Sequence, residues 1–185
     1  MKTFLVALGL CLAGLVRGAE PVIDNERVTV WDTTVPLPPA RHDFVAVSAF
    51  GLATAVFGHK GDSPGQSGSR TLVIELKDLE VAPIENTSGY PIAFPRPHSG
   101  KLFENDRVIV WSYRWNPGEA TPMHFHDKDV VVVFPEATAV RSTAPDGAST
   151  VNEYKAGEIR FNRRNRTHTE LLVGASGSAV VTELK

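Results

Sequence analysis

With 185 residues and a formal net charge of −2, the chain lacks the basic excess that would suit it to nucleic acid or to an acidic lipid surface. Its one cysteine, Cys11, excludes a disulfide within the chain and any multi-thiolate metal site. Stability must therefore come from an apolar core, which a chain of this length can build.

The chain opens with Lys2, an uncharged and mostly apolar run from Thr3 to Val16, and small residues at Gly18 and Ala19. A run this short, ending on small residues, predicts a cleaved secretory signal over residues 1–19 rather than a membrane span. The mature chain would then be secreted or periplasmic, with no stable membrane anchor. Cys11 falls inside the signal and follows Leu10, which argues against lipid modification.

Beyond the signal, short segments rich in Val, Thr and aromatics alternate with Gly, Pro, Asn and Asp. This pattern predicts strands over 27–31, 44–49, 53–57 and 71–76. It predicts further strands over 108–115, 129–134, 138–142, 158–161, 169–173 and 179–184. Pro145-Asp146-Gly147 marks a tight reversal between two of them. Residues 79–100, with four prolines, read as an irregular connection. No long segment has a helical apolar period, so the fold class is all-β, a sandwich or closed barrel.

The halves on either side of that connection resemble one another. Arg27-Val-Thr-Val-Trp31 resembles Arg107-Val-Ile-Val-Trp111, and His42-Asp43 matches His126-Asp127. Ala53-Thr-Ala-Val56 matches Ala137-Thr-Ala-Val140, and Glu75-Leu-Lys77 matches Glu183-Leu-Lys185. These matches run in order, and the second copy is longer before its histidines and near 151–173. The chain thus divides into a degenerate N-terminal repeat with its connection, 20–100, and a C-terminal domain, 101–185. Ala40 stands where the second copy has His124, and nothing in the first copy answers to His168, so any site belongs to the second copy.

In that second copy, Trp111, Tyr113 and Trp115 alternate on one strand and share a face, suited to core packing or to a stacking wall. His124 and His126 lie two apart on a strand and project together, half of a facial metal site. His168 opens a later strand, with Glu170 on its face. Arg160, Arg163, Arg164 and Arg166 crowd the segment before His168. Arginine pairs bidentately with carboxylate or phosphate, so Arg160, Arg163 and Arg166 are candidates to bind a small anionic ligand, against the alternative of a solvated basic loop.

Gly118-x5-His124-x-His126 and the spacing from Gly157 to His168 resemble the two motifs of the cupin superfamily, with the short hairpin at Pro145–Gly147 between them. The resemblance covers roughly 107–185 and implies a double-stranded β-helix, or jelly-roll barrel, onto which the degenerate repeat would pack. It also implies a divalent metal (zinc, iron, manganese, nickel or copper) held by His124, His126 and His168, and edge-strand homodimers. The glutamate that the first motif usually supplies is missing, Val130 and Val131 standing there. In the second motif Arg163, Asn165 and Leu172 replace a proline, a glycine and an asparagine. Glu170 then becomes the fourth-ligand or catalytic acid/base candidate. Two functions follow: a metalloenzyme acting on a small anionic molecule, or a non-catalytic barrel that binds or senses a small ligand, with or without metal. A metal-free structural barrel is a third.

Overall fold

The computed structural model describes residues 19–64, 68–79, 81 and 84–185; the residues read as a signal, up to Gly18 and with them Cys11, lie outside these. The first half folds into β1 (Ile23–Asp24), β2 (Val28–Asp32), β3 (Phe44–Ser48), β4 (Ala55–Gly58) and β5 (Thr71–Leu76). The second half forms β6 (Ser99–Glu104), β7 (Val108–Arg114), β8 (His124–His126), β9 (Asp129–Phe134) and β10 (Thr138–Thr143). It continues with β11 (Ser149–Tyr154), β12 (Glu158–Asn162), β13 (Arg166–Leu172) and β14 (Ser178–Leu184).

Strands β7 to β14 form two facing antiparallel sheets, one in the order β12-β9-β14-β7, with β6 added at its edge, and the other β11-β10-β13-β8. Eight strands distributed this way make a jelly roll, the double-stranded β-helix of cupin type. Alternation along each strand assigns the faces. Trp111, Tyr113, Val130, Val132, Phe134, Ala179 and Val181 point into the barrel with Trp115. Val108, Val110, Val131, Val133, Val180 and Leu184 point out of it.

That outward apolar face is covered by the first half. Its sheet, β1-β2-β5-β3-β4, lays Val28, Val30, Val45, Val47, Leu72 and Ile74 against it, giving a second core between two sheets. The order β2-β5-β3-β4 matches β7-β14-β9-β12, and among the described residues the first half shows no counterpart of the second barrel sheet. Local contacts repeat as well. Trp31 Nε1 donates to Glu75 Oε2 at 3.0 Å, as Trp111 Nε1 does to Glu183 Oε2 at 2.8 Å. Asn25 Oδ1 accepts the backbone N–H groups of Arg27 and Val28, as Asn105 Oδ1 accepts those of Arg107 and Val108. The two arginines reach across reciprocally. Arg27 pairs with Asp129 and donates to Lys185 O, while Arg107 donates to Leu76 O and Lys77 O.

These pairings correct the repeat register. Phe44 sits opposite Glu75, as Val130 does opposite Glu183. Asp43 Oδ1 accepts Lys60 N as Asp129 Oδ1 accepts Arg164 N, so Asp43 answers to Asp129 rather than to Asp127. Ala40 O accepts Gly61 N as His126 O accepts Asn165 N, which places Ala40, not His42, at the position of His126. Likewise β4 pairs with β3 as β12 pairs with β9, so Ala53–Val56 does not correspond to Ala137–Val140 in β10.

Strands β6 and β11 escaped the sequence reading because they are edge strands. Lys101, Ser149, Thr150 and Val151 are exposed, and neither strand alternates clearly.

Candidate metal centre

The short strand β8 holds His124 and His126 on one face, and β13 pairs with it so that His168 lies directly opposite His124. The three rings converge, with centroids 4.8 to 5.1 Å apart. Each offers a ring nitrogen, and these nitrogens all lie within 4.8 Å of one another. His126 Nε2 and His168 Nε2 are 3.2 Å apart. The loop before β13 that supports this strand turns at Asn165, with φ 61°, in the left-handed region. Asparagine visits that region at little cost, which is how it replaces the motif's glycine while its N–H still reaches His126 O at 2.8 Å. Gly157 has φ 72° and lies against Phe50 and Arg70, so a side chain there would be both strained and crowded.

Burial keeps the imidazoles neutral. It is the largest influence on His124, reinforced by the positive charge of Arg96, and together they push it down to about 4. Burial first, and Arg166 next, hold His126 well below its ordinary value, and burial lowers His168 in the same direction. Near pH 7 all three therefore carry a lone pair. His124 Nδ1 lies 2.8 Å from Pro122 O and must carry the hydrogen, since a carbonyl only accepts. Its lone pair is then on Nε2. His126 Nδ1 is buried and finds no hydrogen-bond partner among the described residues. Three neutral, converging imidazoles and a nearby carboxylate (Glu170 Oε1, 3.7 Å from His168 Nε2) match the donors of a divalent site, and the residues fit a metal.

Glu170 does enter the site, in a constrained state. Burial is the largest influence and disfavours its charge, but Arg96, His168, His124 and the Trp115 N–H together outweigh it and hold the carboxyl down at about 2. Arg96 Nη2 donates to Glu170 Oε2 at 2.9 Å, and Arg96 Nη1 donates to His124 Nε2 at 2.8 Å. The guanidinium lies over the Phe94 and Tyr113 rings, 4.7 and 4.0 Å from their centroids. Sequence reasoning missed Arg96, which sits in the proline-rich connection. That segment runs beside β8, where Ala93 N donates to Phe125 O and Phe125 N to Pro91 O. An isolated arginine between prolines in Phe94-Pro-Arg96-Pro97 was the one signal available.

A cavity of about 160 Å³ opens from the histidines into the barrel. Its walls are Phe94, Trp115, Phe134, Tyr154 and several valines, and its polar lining includes Arg96, Ser142, Asn152, Asn162, Arg166 and Glu170. Val130 occupies the lining where the motif's glutamate would stand. Of the candidate anion-binding arginines only Arg166 lines this cavity. Arg160 shares the inward parity of β12 but lies beyond the cavity, exposed and paired with Glu158 at 2.6 Å. Arg163, in the turn after β12, reaches away to Glu26 at 2.6 Å. Trp111 and Tyr113 are core residues, and Trp115 is both core and cavity wall.

No family model matches the sequence, and no curated protein matches it. Among solved structures, a cupin domain from Bordetella pertussis Tohama I is 26% identical over 49% of this chain and 97% of its own, with a TM-score of 0.45. The polyketide cyclase RemF from Streptomyces resistomycificus is 19% identical over 57% of this chain and 80% of its own, with a TM-score of 0.40. A cupin 2 conserved barrel domain protein from Leptotrichia buccalis is 11% identical over 90% of this chain and 88% of its own, with a TM-score of 0.49.

Proposed function

We propose that the barrel is a divalent-metal site that takes a small anionic molecule with a flat unsaturated body. The observation that carries this reading is the convergence of three neutral histidines, His124 and His126 buried and His168 largely so, at the end of a cavity walled by aromatic rings and bordered by Arg166. His124, His126 and His168 would hold the metal, which supplies Lewis acidity when bound. The chain's own groups do the rest. Trp115, Phe134 and Tyr154 stack on one another along the cavity and give it an apolar aromatic wall. Among the described residues, the one hydrogen bond of the Arg166 side chain is from Nε to Arg163 O, so its terminal amino groups are available to a carboxylate.

A second reading, a sensing barrel without catalysis, is favoured by one observation. Glu170, the acid/base candidate, is an anion tied to Arg96, with no proton to give and little basicity to take one. In either reading it positions Arg96.

The test is titration of the zinc-loaded protein with benzoate, beside Arg166→Met and Arg160→Ala. We expect Arg166→Met to weaken benzoate by about tenfold or more, the scale of one charge-assisted contact. Arg160→Ala should leave it unchanged. Equal weakening in both, or none in Arg166→Met, would contradict the assignment of the anion to this cavity.

A further inference from the structure

His124 can offer a metal only Nε2, because Nδ1 is committed as a donor to Pro122 O. That same lone pair already accepts a hydrogen bond from Arg96 Nη1 at 2.8 Å. An arginine has only donors and stays charged, so it cannot share the nitrogen with a cation. Nor is Arg96 loosely placed. It is buried, Glu170 Oε2 holds Nη2, and the Phe94 and Tyr113 rings lie under its guanidinium. Glu170 is itself fixed, its N–H donating to Thr121 Oγ1 at 2.8 Å and its carboxylate accepting from Trp115 Nε1. The proline-rich connection that delivers Arg96 is hydrogen-bonded along β8, the strand that carries His124.

From this arrangement we infer that Arg96 is an internal competitor for the metal: its guanidinium caps His124 Nε2 and must leave that nitrogen before a divalent ion can take all three histidines. The inference rests on the metal reading and adds to it a residue that sets how tightly, and against what opposition, the metal is held. Arg96 acts in two ways. It occupies a ligand atom, and it places a fixed positive charge beside the incoming cation. Both weaken metal binding, and both vanish when the guanidinium is removed. A residue that merely supported the histidines would have the opposite effect, since its loss would loosen the site and weaken the metal.

The experiment is zinc affinity, measured on the folded protein by competition with a fluorescent chelator, for wild type, Arg96→Met and Arg96→Met/Glu170→Gln. The double variant removes both members of the buried pair, so that the comparison survives if Arg96→Met alone leaves Glu170 uncompensated and fails to fold. We expect zinc to bind about ten- to a hundredfold more tightly in the variant lacking Arg96, the range for one hydrogen bond to a charged group. Zinc binding by the variants and none by wild type would also support the competition, while removing the metal from the function of the native chain. Affinity equal to or weaker than wild type in the folded variants would overturn the competition and leave the metal reading standing. Absence of zinc from every protein would overturn both.

Discussion

The contact between the two halves can be tested at Arg27. Its Nη1 is 3.0 Å from Asp129 Oδ2 with both side chains buried, and its Nη2 donates to Lys185 O at 2.9 Å. Replacing Arg27 by Met fills most of the volume but leaves the Asp129 carboxylate in the interior, with the Arg164 N–H as its named remaining partner. Breaking a buried pair from one side costs about 3–5 kcal/mol, because the surviving charge is desolvated and unmatched. In a chain of this size each kcal/mol lowers the melting temperature by roughly 2–4 °C, so a fall of roughly 6–20 °C is expected. Arg27→Met/Asp129→Asn removes the stranded charge yet keeps an oxygen for Arg164 N, and should recover at least half of the loss. Urea unfolding of the two single variants and the double variant gives the coupling directly. A cost below about 1 kcal/mol for Arg27→Met, or no recovery in the double variant, would refute the reasoning that this pair clamps the sheet to the barrel.

Two other outcomes follow from the site's geometry. At Asn165, with φ 61°, Asn165→Gly should be nearly neutral and Asn165→Val should lose about 1–2 kcal/mol in the same unfolding assay, because a β-branched residue resists the left-handed region; equal costs for the two would contradict it. The metal-free protein should lose stability as pH falls below about 6.5. The unfolded histidines then take up protons that buried His124, His126 and His168 refuse, at up to about 1.4 kcal/mol per pH unit for each. Glu170, held at about 2, works in a lower window, since its contribution is present above 4.5 and lost only as pH falls toward 2. His168→Asn should therefore make stability fall less steeply between pH 6.5 and 4.5, and an unchanged slope would show that His168 does not contribute to it.

Much of this was legible in the sequence because it is periodic. The barrel strands follow from alternating valines and aromatics, and the histidine trio follows from two-residue spacing on one strand and the motif distance to His168. What the sequence misled on was register. A slip of two residues preserves strand parity, so His42-Asp43 matched His126-Asp127 by letter, while the hydrogen bonds align Asp43 with Asp129. The arginines failed for a different reason. Composition shows that Arg160, Arg163 and Arg166 are close in sequence, but whether each meets the cavity depends on where β12 ends and which acids lie nearby. Arg96 depends on a long connection lying along β8, a tertiary contact that no local pattern encodes.

The central claim is that His124, His126 and His168 form one metal centre. Elemental analysis of protein purified without chelator and dialysed against zinc, beside the His126→Ala/His168→Ala variant, tests it most directly. The account predicts near-stoichiometric zinc in the wild type and its loss in the folded variant. The same zinc content in both, or none in either, would contradict it.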